Sequence, residues 1–370
     1  MLDYLLISGD SHFVEPPTMW AERMDKKFRD RAPHTVRNLN GKPGEFFVCA
    51  GIAPMPVAGF FGAGVPSHEL PEFNKKGFEA APQSVWDPAA RLKDQDRDGV
   101  QAEIIYTSMG MPLFQLDDAE LRAACFAAFN DWAAEYCSYD FKRLVPLGLI
   151  TLEDIPAAVA ELQRIAKKGI RGAMIWAEPP DDHPYSDALY EPFWAAAQDL
   201  DMPLSLHVLT NRGGGNVAPS RKDMLLRLAN MHHAVERTLS TMVYGGVFEK
   251  FPGLKIVSAE NDAGWMAYFM YRLDTVQNRL GALGGMKLPL RASEYIRRQV
   301  FATFIADPVF VDSLHRYPAD NIMWSSDYPH TAATFPRSRE IVAKRLGMVA
   351  PDQLRKIVRD TSAKLYGLEQ

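Results

Sequence analysis

The sequence predicts a distorted (β/α)8 barrel with loop insertions, an α/β fold in which parallel strands alternate with helices. Two observations indicate this fold. Eight short apolar runs rich in strand-forming residues occur along the chain, and stretches with helical periodicity separate most of them. Such alternation is typical of parallel strands joined by crossover helices. Because α/β barrels often use more than 250 residues as one domain, we expect a single domain over residues 1–370.

Short apolar runs mark the predicted strands, and amphipathic stretches between them mark the predicted helices. The predicted strands, in chain order, are Tyr4–Ser8, Ala102–Thr107, Leu144–Ile150, Gly172–Trp176, Leu204–Val208, Lys255–Ala259, Gln299–Ile305 and Asn321–Ser325. The predicted helices are Ala119–Tyr136, Ile155–Lys168, Asp187–Leu200, Leu225–Phe251 and Pro308–Tyr317. Residues 33–85 are rich in Gly, Pro and Phe without a clear period, and we interpret them as a lid or rim insertion. Residues 275–292 form a second predicted insertion.

Composition excludes several classes of protein. The chain has 41 basic and 46 acidic side chains, a net charge of −5 and no dense basic stripe, so a nucleic acid is not an expected partner. Its three cysteines are too scattered for a disulfide framework. The N-terminal run carries Asp3 where a signal peptide would be positive, and no apolar run is long enough to span a membrane. We therefore expect a cytoplasmic protein without a membrane partner.

Polar residues follow several of the predicted strands, where the active sites of barrels lie. Asp10 and His12 follow the first strand and can share one face. His207 ends the fifth strand and Asp327 follows the eighth. Taken singly, each has a structural explanation: a hydrogen-bonded loop, a buried imidazole or a helix cap. Together they predict a site for a divalent transition metal, namely zinc, manganese or iron.

Four segments in this order resemble the amidohydrolase superfamily, in the branch that contains aminocarboxymuconate-semialdehyde decarboxylase and gamma-resorcylate decarboxylase. They are Ile7–Pro17, the strand ending in His207, Gly246–Val257 and Ser325–His330. The resemblance covers nearly the whole chain and implies a distorted barrel and a homodimer. It also implies a metal site on four residues. They are Asp10, His12, His207 and Asp327.

The chain departs from that branch at the end of the sixth strand. Decarboxylases resembling this chain carry a histidine there as acid/base, whereas this chain carries Glu260. Glu260 is therefore either the general acid/base or a metal ligand. Glu15 is a further ligand, a partner of His12 or part of a helix start. We expect one metal ion, with two as the alternative if Glu15 and Glu260 both face it.

These residues favour a metal-dependent hydrolase, in which metal-activated water attacks an amide, ester or C–C bond next to a carbonyl of a small substrate. Asp327 or Glu260 would accept the proton, and His330 either donates one or is a hydrogen-bonded turn residue. Arg212 either pairs with a substrate carboxylate or is a solvated cation. The alternatives are a non-oxidative decarboxylase (a carboxy-lyase) of an aromatic or unsaturated carboxylic acid, and a dinuclear iron or manganese enzyme that activates oxygen. A non-catalytic binding barrel is the remaining possibility.

Overall fold

The predicted alternation of strands and helices is present along most of the chain. The computed structural model describes residues 3–212, 225–226, 228–285, 287–317 and 319–369. The strands are β1 (Leu6–His12), β2 (His34–Arg37), β3 (Glu45–Cys49), β4 (Ile52–Pro56), β5 (Val100–Tyr106), β6 (Leu144–Pro146), β7 (Gly148–Leu149), β8 (Ala173–Ile175), β9 (Leu204–His207), β10 (Ile256–Ala259), β11 (Val300–Phe304) and β12 (Ile322–Trp324). The α-helices are α1 (Met19–Arg23), α2 (Leu70–Phe73), α3 (Pro88–Asp98), α4 (Ala119–Cys137), α5 (Ile155–Lys167), α6 (Glu191–Asp199), α7 (His232–Tyr244), α8 (Val247–Lys250), α9 (Met266–Leu280), α10 (Ala292–Gln299), α11 (Pro308–Ser313), α12 (Ser338–Leu346), α13 (Pro351–Arg355) and α14 (Thr361–Leu365).

The barrel strands run parallel and form two sheets, with orders β1-β5-β6 and β12-β11-β10-β9-β8-β7. The sheets are joined where β6 leads into β7: Leu147 donates its N–H to Ile105 of β5, whereas Gly148 donates to Gly172 beside β8. They meet again where β1 lies beside the segment that follows β12. The predicted (β/α)8 fold is confirmed. It departs from a regular barrel at these two junctions, where the parallel strands divide into two sheets.

Several predicted boundaries were wrong for local reasons. The strand predicted at Tyr4–Ser8 extends to His12, so the first two candidate ligands lie within β1. The strand predicted at Leu144–Ile150 is split because its partner changes from β5 to β8. The helix predicted at Leu225–Phe251 is broken into α7 and α8, because Gly246 takes a left-handed φ of 77° that ends a helix. Arg227 of that prediction lies outside the described residues.

The sequence reasoning did not predict α3, although its signals were present. Asp87 accepts hydrogen bonds from the N–H groups of Ala89 and Ala90, and Pro88 occupies the first turn. Gly99 follows the helix with a φ of 74°, a conformation that glycine adopts without strain. This helix lies between β1 and β5 as the crossover connection.

The structure of each predicted insertion differs from the expectation. Residues 33–85 contain the antiparallel sheet β2-β3-β4, which the sequence did not indicate, together with short helical turns. This segment contacts the segment after β12, where Ala63 donates its N–H to the Pro329 carbonyl at 3.0 Å. The prediction of an insertion at 275–292 was wrong in extent, because α9 continues to Leu280 and α10 begins at Ala292. Only residues 281–291 separate the two helices.

The layer between strands and helices forms one continuous buried core. Trp20, Trp176, Trp194 and Trp324 are among its fully buried side chains. None of the helices within the described ranges combines the length and the apolar character needed to cross a membrane.

The buried side chain of Asn130 makes hydrogen bonds to β7 that a neighbouring strand would otherwise make. Asn130 of α4 accepts a hydrogen bond from the Leu149 N–H at 2.7 Å and donates one to the Leu149 carbonyl at 3.0 Å. Asn130→Ala would leave both backbone groups buried without partners, so we expect the free energy of unfolding to fall by about 2–4 kcal/mol. Urea denaturation measures this loss. In the control Asp131→Ala, which removes half-exposed ion pairs with Arg164 and Lys168, the loss should stay below about 1 kcal/mol. Equal losses in the two variants would contradict the role of Asn130.

Candidate metal centre

The predicted ligands from β1, β9 and the segment after β12 converge at one end of the barrel. The His12 Nε2 atom lies 3.3 Å from Asp10 Oδ1 and 3.4 Å from Asp327 Oδ1. The His207 Nε2 atom lies 3.8 Å from Asp10 Oδ2 and 3.4 Å from Glu260 Oε2. The predicted ligand set is therefore brought together, with Glu260 beside it.

Both imidazoles are held in the orientation that metal binding requires. The Nδ1 atom of His12 lies 2.8 Å from the Thr107 carbonyl, and that of His207 lies 2.9 Å from the Val208 carbonyl. Because a carbonyl oxygen only accepts, each Nδ1 carries a hydrogen, and each ring therefore turns Nε2 towards the centre as its ligand atom. Backbone carbonyls in this position are a common means of orienting metal-ligating histidines.

The donor atoms fit a divalent transition metal. Among the described residues, no hydrogen-bond partner satisfies the buried atoms Asp10 Oδ1, His12 Nε2, His207 Nε2 and Asp327 Oδ1. Buried polar atoms are rarely left without partners, so unsatisfied ligand atoms grouped around His12 indicate that these residues fit a cation. Metal–ligand bonds of about 2.1 Å place adjacent ligand atoms about 3.0–3.4 Å apart, close to the spacings found here. Mixed imidazole and carboxylate ligands suit zinc, manganese or iron.

The strand ends position these side chains by local backbone geometry. Glu260 and Asp327 adopt left-handed φ values of 56° and 57°, which non-glycine residues adopt only at a cost in free energy. The N–H of Glu260 donates to Thr303 Oγ1 at 2.9 Å, and Thr303 donates to Asp10 Oδ2 at 3.2 Å. Thr303 of β11 therefore links the backbone of Glu260 to the carboxylate of Asp10.

Burial and neighbouring charges shift the pKa values of Asp10, His207, Asp327 and Glu260. Burial opposes ionisation of Asp10, but His12 and His207 outweigh it and lower the Asp10 pKa. Burial also opposes a charged His207, yet Asp10 and Glu260 raise the His207 pKa to about 9. Burial and neighbouring carboxylates raise the pKa of Asp327 to about 7 and that of Glu260 to about 8. Protons therefore supply the positive charge that a bound cation would provide.

His330 lies against the centre, with one ring nitrogen facing Ser108 and the other facing Asp327. Its ring stacks on His12 with centroids 3.9 Å apart. Its Nδ1 atom lies 3.0 Å from Asp327 Oδ1, and its Nε2 atom lies 2.8 Å from Ser108 Oγ. Ser108 donates its own hydrogen to the Phe13 carbonyl, so it accepts from Nε2. Burial lowers the pKa of His330 to about 3, and the neutral ring therefore directs its free lone pair at Asp327.

Glu15 does not reach the candidate ligands. Its carboxylate accepts hydrogen bonds from the Thr107 hydroxyl and, at 2.9 Å, from the Met109 N–H. Since the Thr107 carbonyl orients His12, Glu15 supports that ligand indirectly. Burial raises the pKa of Glu15 to about 7. The expectation of two ions depended on Glu15 facing the metal, and this orientation removes that part of the argument.

Arg212 lies away from the candidate ligands. Its guanidinium lies 3.1 Å from Asp117 and 3.9 Å from Glu153, both partly exposed acidic side chains. This placement matches the expectation of a surface cation better than that of a substrate-binding residue.

Sequence reasoning missed Thr303, which bonds the candidate ligand Asp10, and Ser108, which bonds His330 beside the centre. Thr303 is a polar residue within the apolar run of β11, and that pattern was an available signal. Ser108 follows β5 as Asp327 follows β12, yet a serine at a strand end is too common to single out. The bonds that give both residues their roles span 293 and 222 positions, which one sequence does not display.

The sequence profile of the amidohydrolase family matches residues 30–368. The chain belongs to the amidohydrolase family. It is thus an enzyme of a metal-dependent superfamily, and the resemblance expected from the sequence is confirmed.

Curated relatives in this family include carboxy-lyases. A gamma-resorcylate decarboxylase from a Polaromonas species is 25% identical over 338 residues, covering 82% of this chain and 95% of that protein. The 2-amino-3-carboxymuconate-6-semialdehyde decarboxylase of Dictyostelium discoideum is 23% identical over 295 residues, covering 78% of this chain and 75% of that protein.

Solved structures share the fold along the whole chain. An amidohydrolase from Mycobacterium avium subsp. paratuberculosis has a TM-score of 0.79 and 21% identity, covering 99% of this chain and 100% of that one. A dihydroxybenzoic acid decarboxylase from a Polaromonas species, solved with bound manganese, has a TM-score of 0.68 and 18% identity. The match covers 99% of this chain and 98% of that one. At these identities the likeness establishes a common fold.

Metal binding should displace protons from the centre. With a pKa of about 9, His207 is protonated at pH 7.5 and must lose that proton to become a ligand. Binding of Mn²⁺ is therefore expected to release at least about one proton, and affinity should rise with pH towards 9 by up to about tenfold per unit. Calorimetry in two buffers with different ionisation enthalpies counts the protons.

The control for this titration is His183→Ala, which removes an exposed histidine paired with Asp187 and should leave the proton count unchanged. Equal Mn²⁺ affinity at pH 6.5 and pH 8.5 would contradict a protonated His207 in the metal-free protein.

Proposed function

We propose that this amidohydrolase-family enzyme is a divalent-metal-dependent, non-oxidative decarboxylase of an aromatic carboxylic acid. The observation that carries the proposal is the position of Glu260. Its side chain is 28% exposed at the barrel mouth, lies 3.4 Å from His207 and has its pKa raised to about 8. An acidic group that holds its proton near neutral pH beside a metal centre suits protonation of a substrate carbon.

The curated relatives support this class of reaction. The two described above are decarboxylases by name, and one aligns with this chain over 95% of its length. The manganese in the related dihydroxybenzoic acid decarboxylase supports Mn²⁺ as the first metal to test. The hydrolase expected from the sequence thereby becomes the second candidate.

Four side chains would hold the cation. They are Asp10, His12, His207 and Asp327. When bound, the cation would supply positive charge that binds the oxygen atoms of an anionic substrate and stabilises negative charge developing on them. His330 has its ring hydrogen on Nε2, bonded to Ser108. Its Nδ1 can therefore accept a hydrogen bond from Asp327 while that carboxyl group is protonated, but the ring has no proton to donate to a substrate.

Glu260 would perform the proton transfer. Its carboxyl group donates its proton to the ring carbon that bears the carboxylate, forming the C–H bond. The C–C bond then breaks, its electron pair returns to the ring, and carbon dioxide leaves. Partial exposure of Glu260 lets its carboxylate regain a proton from water. One proton is consumed for each carbon dioxide released, so no oxidant or reductant is required.

A cavity and an aromatic side chain lie near the centre. The cavity, of about 430 Å³, is lined by Val208 and Leu209, directly after His207, and by Gln115, Asn211 and His233, whereas the candidate ligands and Glu260 do not line it. Pockets of several hundred cubic ångströms are typical of small-molecule sites. On the other side of the centre, the ring of Phe60 from the 33–85 insertion lies 5.8 Å from the His330 ring and helps to cover it.

Hydrolysis remains a second candidate because of one specific observation. Glu260 occupies a position where decarboxylases resembling this chain carry histidine, and an ionised carboxylate beside metal ligands is a common base for activating water. The two functions require opposite protonation states of Glu260, which makes them separable by experiment.

The decarboxylase proposal predicts carbon dioxide release with solvent hydrogen incorporated into the product. The Mn²⁺-loaded enzyme should convert at least one acid in a panel of mono- and dihydroxybenzoates, measured by carbon dioxide evolution. In D₂O the product should carry one deuterium at the former carboxylate position, detected by mass spectrometry. Turnover of aryl esters or amides with none of the acids would instead establish hydrolysis.

Replacement of the proposed proton donor predicts loss of turnover without loss of metal. Glu260→Gln keeps the shape of the side chain but removes the transferable proton, so kcat should fall by about 10²–10⁴-fold. Metal analysis should still find about one equivalent, because the four ligands are intact. The matched control is Glu236→Gln, the same change at a carboxylate of α7 that is not among the candidate ligands, and this variant should retain activity. Loss of the metal in Glu260→Gln would identify Glu260 as a ligand instead.

A further inference from the structure

The candidate ligands Asp10, His12 and Asp327 lie on both sides of a junction that lacks a regular ladder. Sheet pairing joins β1 to β5 and β12 to β11, and within the described residues no ladder joins β1 to β12. The junction is closed by the His12 N–H, which donates to the Tyr328 carbonyl at 2.7 Å, and by the Asp327 N–H, which donates to the Asp10 carbonyl at 3.0 Å. The distance between the ligands therefore depends on how these two backbone segments are held together.

A serine cluster supports the junction from within. Ser8 Oγ donates to the Asp10 carbonyl at 2.8 Å and accepts from the Ser326 N–H at 2.9 Å. Ser11 Oγ contacts Ser8 Oγ at 3.0 Å and Ser326 Oγ at 2.9 Å. These side chains replace part of the missing ladder with neutral bonds, and Ser326 Oγ also accepts from the Tyr328 N–H at 3.3 Å.

Arg91 of α3 spans the junction on the other side of the ligands. Its NH1 group donates to the His12 carbonyl at 3.0 Å, and its NH2 group donates to the Tyr328 carbonyl at 3.1 Å. One rigid guanidinium thus contacts the backbone of a ligand and of the residue that follows another ligand. The same group lies 4.5 Å from the centroid of the Tyr328 ring.

The guanidinium is itself held in a fixed position. Arg91 is 1% exposed, and Glu103 of β5 accepts hydrogen bonds from its Nε at 2.7 Å and its NH2 at 3.1 Å. Gln95, one turn along α3, donates to the same carboxylate at 2.8 Å. The planar guanidinium is fixed by its two bonds to the Glu103 carboxylate, so it holds the two backbone carbonyls at a set spacing. The flexible ammonium group of a lysine would not do so.

We infer that Arg91 is a positioning residue of the metal centre, which sets the separation of the ligands on β1 and after β12 and thereby the affinity for the metal. Arg91 touches neither the candidate ligand side chains nor any group assigned to the reaction. The inference rests on the proposed metal centre but is independent of whether the reaction is decarboxylation or hydrolysis.

The test is an Mn²⁺ titration of the chelator-treated, full-length protein, followed by the electron paramagnetic resonance signal of free Mn²⁺. Arg91→Lys keeps a cation opposite Glu103, which avoids an unpaired buried carboxylate, but one ammonium does not replace both carbonyl contacts. We expect the Kd of this variant for Mn²⁺ to rise by about 10–100-fold, which is the usual loss of metal affinity when a residue that orients a metal ligand is mutated.

Two controls separate positioning from general loss of stability. Arg122→Lys makes the same change at a second fully buried arginine, which contacts Thr151 and the Leu116 carbonyl instead of the ligand segments. Gln95→Ala weakens the support of Glu103 while leaving the carbonyl contacts of Arg91. Both should bind Mn²⁺ within about threefold of the wild type even where urea denaturation shows lower stability.

If Arg91→Lys does not fold, as judged by near-ultraviolet circular dichroism, the double variant Arg91→Gln with Glu103→Gln replaces the buried charges by two neutral amides and should show the same loss of affinity. Wild-type affinity in either folded Arg91 variant, or an equal loss in Arg122→Lys, would overturn the inference. Failure of the wild-type protein to bind Mn²⁺ would instead overturn the proposed metal centre.

Discussion

Negative charge collects at one end of the barrel, and its compensation explains the arrangement of the polar groups around it. Asp10, Asp327 and Glu260 share two imidazoles, with the closest contacts between 3.3 and 4.0 Å. Buried carboxylates at such spacing require protons or a cation. The left-handed backbone at Glu260 and Asp327 and the carbonyl-bound histidines all serve to hold this cluster in place.

The same crowding connects structure to chemistry. A carboxyl group that keeps its proton is an acid, and a carboxylate that has lost it is a base, so the electrostatics around Glu260 decide which reaction the residue can assist. His330 illustrates a related point, because a histidine beside an active site is limited by its partners. With its ring hydrogen bonded to Ser108 and an unprotonated nitrogen facing Asp327, His330 has no proton available for a substrate.

Sequence reasoning located the candidate ligands because each one lies within three residues of a strand end, and barrel strands bring their ends together. It did not locate Arg91, whose bonds to His12 and Tyr328 span 79 and 237 positions. It also missed the small sheet of the 33–85 insertion, since strands such as Ile52–Pro56, with two prolines, carry no alternating pattern. Local patterns were therefore sufficient for the strands of the barrel and insufficient for contacts made across it.

The candidate ligands and the residue that covers His330 lie in different parts of the chain, and this separation has a consequence for how the protein can evolve. All four candidate ligands belong to the barrel, whereas Phe60, which covers His330, belongs to the segment from 33 to 85. Mutations in that segment can reshape the cover without moving a ligand. A change of substrate in descendants of this chain would then require substitutions in the cover and none among the four candidate ligands.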